Sequence, residues 1–437
     1  MKRRELLKAG AVAGAGLVVL RSGILQAGQS PGEKLNVAVI GVGGQGGSNL
    51  GGVSGENIVA LCDVNSQTLA KAAERFPKAQ TYADWRKCLD QKDIDAVVCS
   101  TPDHTHAFVN VWALNRGKSV YCEKPLANSV HEARAVREAY LKQQDKVATQ
   151  MGTQIHASDN YRRMVELVRG GAIGKPQEAR VWCSRAPHGG DYLPAAGDPP
   201  PHLNWDLWIG PSPMHPYNPG YMGGCLAWNP FWDFGSGQIG DMGSHMMDMP
   251  FWALDLKDPV SCKAEGSPVS TDTLPTWLTA EWEHPANDWR PAVKVYWYDG
   301  GKKPGVPSKV FNRDSDAMFK GVIYKGDKGY LICDYDFRIL MPTGGDMTQY
   351  KSPKKEDLIP PSKGHHKEWI EAAKGDKKTL CNFEYSGAEV EHNLLALVAY
   401  RVGKPLQWDP KTLKAPGCPE ADQYIQKKYR DGWTLNG

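Results

Sequence analysis

The 437-residue chain lacks any large imbalance of charge: 52 Lys and Arg face 49 Asp and Glu, for a formal net of +3. The first 27 residues alone hold Lys2, Arg3, Arg4, Lys8 and Arg21 against Glu5, so the remainder is close to neutral. A near-neutral body gives no basis for a nucleic-acid partner. A long hydrophobic run is also missing. The apolar stretch from Ala9 to Leu20 is short and Gly-rich, which makes a poor membrane span. The ten cysteines form no Cys-x-x-Cys pair and no metal-ligand spacing. They read as buried free thiols, as with Cys99 inside AVVCS, and no metal site is expected. There is no internal repeat and no low-complexity segment, which excludes solenoid and propeller architectures.

What is abundant is tryptophan, fifteen in all. Broad aromatic surfaces suit sugars, although Trp also fills cores. The length suits two or three domains.

Residues 1–27 follow the three-part pattern of an export signal. A basic start precedes the apolar stretch, and the small residue Ala27 stands near a plausible cut. The pair Arg3-Arg4, followed by Glu5-Leu6-Leu7-Lys8, resembles a twin-arginine signal, a route for proteins that are already folded. The expectation is export to the periplasm with no stable anchor after cleavage.

LNVAVI (35–40) is a continuous apolar run, as in a strand buried on both faces. It leads into Gly41-Val42-Gly43-Gly44-Gln45-Gly46, a G-x-G-x-x-G turn that lets a pyrophosphate approach a helix N-terminus. NIVALCD then ends on Asp63. An acid there accepts hydrogen bonds from both ribose hydroxyls and repels a 2′-phosphate, which favours NAD over NADP. Strand-like and helix-like segments alternate onward through IDAVVCS, HAFVNVWALNRG, SVYCE, HEARAVREAYLKQQ and KVATQM. That alternation argues for a doubly wound parallel sheet over 34–151. Ligands bind outside the carboxyl ends of such strands. The cofactor rim is therefore read as Gly41, Gly43, Gln45, Gly46, Asp63, Thr101, His104, His106, Glu123 and Lys124.

With TPDHTHA (101–107) and EKP (123–125) in that order, the chain resembles the glucose–fructose oxidoreductase/inositol dehydrogenase/MocA family. The resemblance continues through GTQIHASDNYRRMVELVRGGAIGKP (152–176) and GQIGDMGSHMMDMPFWAL (237–254). It implies an N-terminal Rossmann domain and a C-terminal α/β domain, 152–437, with a large open, mostly antiparallel sheet. It also implies a homo-oligomer, dimer or tetramer. In that family the lysine of EKP, here Lys124, reaches substrate and cofactor ribose. The histidine of D-x-x-x-H, here His245, is the catalytic base. Gln154 and His156 stand where relatives contact substrate, with Tyr161 and Arg162 as further candidates.

The residues support these roles. A buried lysine can donate to a developing alkoxide. If Asp241 and His245 share a helix face at i and i+4, the carboxylate orients the imidazole, and Asp248 stands close enough to brace the same ring. Residues 186–238, rich in Pro, Gly and aromatics, read as an ordered lid over the sugar end of the cleft.

The expected activity is NAD-dependent oxidation of a ring hydroxyl of a sugar or glycoside, with C3 the position. An exported enzyme finds little free cofactor, so NAD is expected to be tightly held and internally recycled. The alternative is redox-assisted glycoside hydrolysis by oxidation, elimination, hydration and reduction. A non-catalytic NAD- or sugar-binding protein is the third reading, and the presence of both Lys124 and His245 speaks against it.

Overall fold

The computed structural model describes residues 34–305, 318–345 and 353–436. The export-signal stretch 1–27 lies outside the described residues. The first layer is a six-stranded, wholly parallel sheet. Its strands are β1 (Asn36–Ile40), β2 (Asn57–Cys62), β3 (Gln80–Tyr82), β4 (Ala96–Cys99), β5 (Ser119–Cys122) and β6 (Thr149–Met151), in the spatial order β3-β2-β1-β4-β5-β6. The order reverses between β1 and β4, so a crevice opens at their carboxyl ends. Four of five β1 residues and all of β4 and β5 are buried, as helices on both faces of a parallel sheet require.

The second sheet has eight strands: β7 (Pro176–Cys183), β8 (Ser261–Gly266), β9 (Leu278–His284), β10 (Val293–Asp299), β11 (Lys320–Gly326), β12 (Gly329–Cys333), β13 (Arg338–Pro342) and β14 (Leu406–Gln407). Their order is β13-β12-β11-β7-β10-β9-β8-β14. Only β7 and β10 pair in parallel; the other pairings are antiparallel. β9 alternates buried and partly exposed residues along its whole length, the signature of a sheet with one covered face. Trp282 and Trp297 are fully buried, so part of the tryptophan content is core.

The helix Phe383–Val402 joins the two halves. Asn382 caps its start by accepting from the Glu384 and Tyr385 N–H groups, and Gly403 ends it in the left-handed conformation. Its Glu391 accepts a two-pronged bond from Arg134, at 2.7 and 2.9 Å, on the helix Val130–Leu141. All ten cysteines are free and nine are buried. Among the described residues no helix is long and apolar enough to cross a membrane.

The 186–238 segment departs from its expected place. Its aromatics gather on one another: Trp205 stacks on Trp208 at 4.7 Å, and Tyr221, Phe231 and Phe234 pack around them. The segment then grips the end of β2. Ser66 N–H donates to His202 O at 2.8 Å, Asn204 N–H donates to Val64 O at 2.9 Å, and Asn65 bridges Leu203. At this contact the segment covers the Asp63 side of the crevice, not the sugar end alone. Backbone pairing with residues 64–66 decides the placement, and the hydrophobic pattern carries no trace of it.

Candidate active site

The glycine turn is shaped by contacts that no side chain could share. Gly41 has φ +80°, and a Cβ there would lie 2.5 Å from Ser100 O. A Cβ on Gly46 would lie 2.0 Å from Gly41 O. Gly44 faces open space, with nothing within 4 Å of its would-be Cβ, and no side chain caps the helix Gln45–Gly52 behind it. An uncapped helix start facing a cleft is what a pyrophosphate needs. Asp63 secures the turn: its two oxygens accept from Val42 N–H at 3.0 Å and Asn65 N–H at 2.8 Å. Burial pushes its carboxyl up against the pull of those N–H groups. A cavity of about 570 Å³ lies between Asp63, Val64 and Leu69 on one side and Pro201, Leu203 and Trp205 on the other. The residues present therefore fit NAD, with the adenosine half beside Asp63. Gly46→Ala should cost about 1–3 kcal/mol of stability through overpacking and weaken NAD binding. Thermal unfolding and cofactor titration of the variant would check this.

Lys124 follows β5 and meets Asp241 of the second domain in a buried ion pair. Arg185, just past β7, reaches the other oxygen of Asp241 at 3.0 Å. Burial draws Lys124 toward the neutral amine, but Asp241 outweighs it and holds the ammonium above the ordinary lysine range. Asp241 resists burial in turn, with Lys124 as the main cause of its depressed value. His245 lies on the same helical run, Gly237–Asp241 and Gly243–Met246. Burial first, and then the Lys124 charge, lower its imidazole to about 3. Its Nδ1 is buried without a partner, and Tyr335 packs edge-on at 6.3 Å.

Lys124, Asp241 and His245 thus come together, but Asp241 does not hydrogen-bond His245 as expected. Its two oxygens are taken by Lys124 and Arg185. Asp248 does not brace His245 either. It accepts from His156 Nδ1 at 2.9 Å and from the Tyr385 hydroxyl at 2.6 Å, wholly buried.

Other expected contacts prove internal. His104 faces the Phe234 and Trp208 carbonyls, and His106 those of Pro125 and Thr101. The helix Asp103–Asn115 begins directly after Pro102, and both rings are buried in its first turn. Thr101 accepts from the Thr105 hydroxyl at 2.6 Å. Glu123 gathers Asn49, Gln45 and Gln154 on one oxygen, which ties those side chains to one another beneath the turn. His156 stacks on Trp252 at 3.9 Å. Tyr161 donates to the His245 carbonyl, and Arg162 pairs with Glu368 at 2.9 Å. His156, Tyr161 and Arg162 are at most 2 % exposed, each turned to a partner within the protein. Arg185 is the functional candidate that the sequence did not disclose; only the fold brings it to Asp241.

Two buried groups, Cys99–His106–Cys122 and His156–Asp248–Cys381, bring ligand-type atoms within 4.8 Å. In each, protein groups already face the same atoms: backbone carbonyls meet both nitrogens of His106, of which a neutral ring donates through one, and His156 donates to the oxygens of Asp248. Neither is built as an ion site.

A switch-point crevice under a glycine turn, with a lysine–carboxylate pair and an imidazole across it, defines a two-domain NAD-binding Rossmann protein. The model "Oxidoreductase family, NAD-binding Rossmann fold" matches residues 35–151, and "Oxidoreductase family, C-terminal alpha/beta domain" matches 186–287. Together they cover half of the chain, which belongs to the glucose–fructose oxidoreductase/inositol dehydrogenase/MocA family.

Inositol 2-dehydrogenase of Salmonella typhimurium is 31% identical over 147 residues, 32% of this chain and 44% of that protein. Levoglucosan dehydrogenase of Pseudarthrobacter phenanthrenivorans is 30% identical over 196 residues, 43% of this chain and 40% of that protein. The chain thus spans less than half the length of these curated relatives. Among solved structures, the WlbA dehydrogenase from Bordetella pertussis in complex with NADH and UDP-GlcNAcA superposes with a TM-score of 0.62 at 14% identity. The match covers 86% of this chain and 98% of that one. Levoglucosan dehydrogenase in complex with NADH and L-sorbose gives 0.54 at 17%, over 86% and 98%. These likenesses are of fold.

Proposed function

We propose that the protein is an NAD-dependent oxidoreductase acting on a ring hydroxyl of a sugar or glycoside, at C3, with its cofactor retained and recycled in place. The observation that carries this reading is the meeting of Lys124, just past β5, with Asp241 on the helical run of the second half that also carries His245. Bound NAD supplies the hydride acceptor. His245 takes the hydroxyl proton through Nε2, since Nδ1 is enclosed. Lys124 donates to the same oxygen as charge develops on it. Asp241 keeps Lys124 protonated, and Arg185 shares the carboxylate so that it stays fixed. The names of the inositol and levoglucosan relatives support a cyclic polyol or sugar.

Retention is supported by the 202–204 contact with residues 64–66, which straps the Asp63 side of the crevice. Export of the loaded, folded protein to the periplasm is supported by the Arg3-Arg4 stretch. A homo-oligomer through the open sheet is supported by the partly exposed apolar residues Tyr298, Tyr330, Ile339 and Met341 on that sheet.

The test is to purify the protein without added cofactor, denature it and quantify released NAD. About one NAD per chain is expected; an empty site that exchanges freely would overturn retention. Incubation with aryl glycosides in deuterated water then separates the chemistries. A keto glycoside without cleavage is the expected product, about one per bound NAD, and more only when an added ketosugar takes the hydride back from NADH. Deuterium at C2 of a released sugar would replace net oxidation by redox-assisted hydrolysis.

A further inference from the structure

A second cavity, of about 450 Å³, opens between the helix Phe383–Val402, the start of the helix Val130–Leu141 and the C-terminal segment 423–429. It shares no lining residue with the cavity beside Asp63, and Lys124, Asp241 and His245 take no part in it. Its distinguishing feature is a pair of cations, neither within ion-pair distance of Glu132 or Asp233, the two carboxylates that also line the cavity. The Arg401 guanidinium lies over the Trp232 ring at 4.6 Å and the Tyr424 ring at 4.2 Å, and its Nε is buried with no partner. Lys427 Nζ donates to the Trp232 carbonyl. With the Asn128 amide turned so that its nitrogen donates to Gly235 O, the amide oxygen accepts from Lys427 at 2.7 Å. These acceptors are neutral.

The nearby carboxylates are engaged elsewhere. Asp233 accepts from His215 Nε2 at 2.7 Å, and Glu132 from Asn128 N–H at 2.8 Å. Among the described residues, no carboxylate lies within ion-pair distance of Arg401 or Lys427. Burial, with Arg401 adding to it, pushes the Lys427 amine down despite Glu132 and Asp233. With no direct ion pair, Arg401 and Lys427 keep hydrogen-bonding capacity for a further group of opposite sign, to which charge-assisted bonds are the strong ones. The remaining wall is mixed, with Trp232, Leu394 and Leu397 on its apolar side and Ser129, Ser212 and Gln423 among its polar residues. The volume falls in the small-molecule range.

We propose that this cavity binds a small organic oxyanion, a carboxylate or phosphate ester on a sugar-sized body, held by Arg401 and Lys427 with its carbon skeleton on Trp232 and Leu394. The site is separate from the redox centre and stands whether or not the proposed reaction does.

The test uses the full chain carrying its NAD, at constant ionic strength, with inorganic phosphate, D-glucose 6-phosphate, D-glucuronate and D-glucose as probes. Calorimetry and thermal unfolding are expected to show saturable binding and a raised Tm for an anionic probe but not for glucose. A response to glucuronate alone assigns a carboxylate, and a response to the phosphates alone assigns a phosphate group. Lys427→Gln should weaken binding at least tenfold, and Lys427→Arg should restore it. His245→Ala should leave it unchanged. Binding of no anion, or binding that survives Lys427→Gln and Arg401→Gln, would overturn the proposal. If Arg401→Gln fails to fold, the Lys427 pair decides alone.

Discussion

Lys124→Met should lower turnover of a cyclic polyol or glycoside by about 10²–10³-fold, the usual loss when one donor to a developing oxyanion is removed. The NAD content should remain close to that of the parent. The lysine is the charged donor placed across the crevice, and its ammonium is held above the ordinary range by Asp241. Donation should therefore not titrate between pH 5 and 9. Removing Lys124 also strips Asp241 of its nearer partner. A half-broken buried pair costs about 3–5 kcal/mol, but here Arg185 still reaches the other oxygen at 3.0 Å, so the loss should fall at or below the lower end. The sign on pH is fixed by the depressed Asp241 carboxyl. The stability it contributes is present above the unfolded value of about 3.9 and is lost as pH falls through the lower folded value. In Lys124→Met that margin should shrink. Steady-state kinetics, released-cofactor analysis and acid unfolding of the two proteins would show it. A variant with full turnover would remove Lys124 from the chemistry.

His245→Ala should cost about 10²–10⁴-fold in kcat/KM, the range for a lost general base. The wild-type pH profile makes the sharper prediction. With its imidazole lowered to about 3, His245 stays neutral and able to accept a proton as pH falls from 8 toward 4. The profile should then show no fall near pH 6.5, where an unperturbed histidine titrates. An acid limb centred near 6.5 that vanishes in His245→Ala would contradict the burial of this ring. The same depressed value means that the unfolded chain binds the proton first. The stability that His245 contributes is present above about 6.5 and is lost as pH falls below it.

The Rossmann half was legible because its signals are local. A buried apolar run, three glycines and an acid at the end of the next strand lie within 29 residues, and each answers to the same backbone turn. Three strands of the second half are weak locally. β14 has two residues, β8 carries charged residues among small ones, and β13 is a short edge strand with no buried residue. Each exists because a neighbour offers it hydrogen bonds. Reading Asp241 with His245 rested on helical spacing. Spacing places them on one run, but it does not count the rivals for a carboxylate. Lys124 and Arg185, 117 and 56 residues away in sequence, win it. His104 and His106 illustrate the reverse. A polar residue beside a motif invites a ligand role, yet both rings answer backbone carbonyls, and burial holds each near 4.

The Lys124–Asp241–Arg185 set has one end just past β5 in the first half and two in the second, Arg185 just past β7 and Asp241 on a helix. It is therefore an interdomain latch as well as a reactive group. Any excursion that parts the layers leaves the lysine without its counter-ion and raises the proton affinity of the carboxyl. The proton balance of the set is thereby tied to the contact between the two halves of the chain.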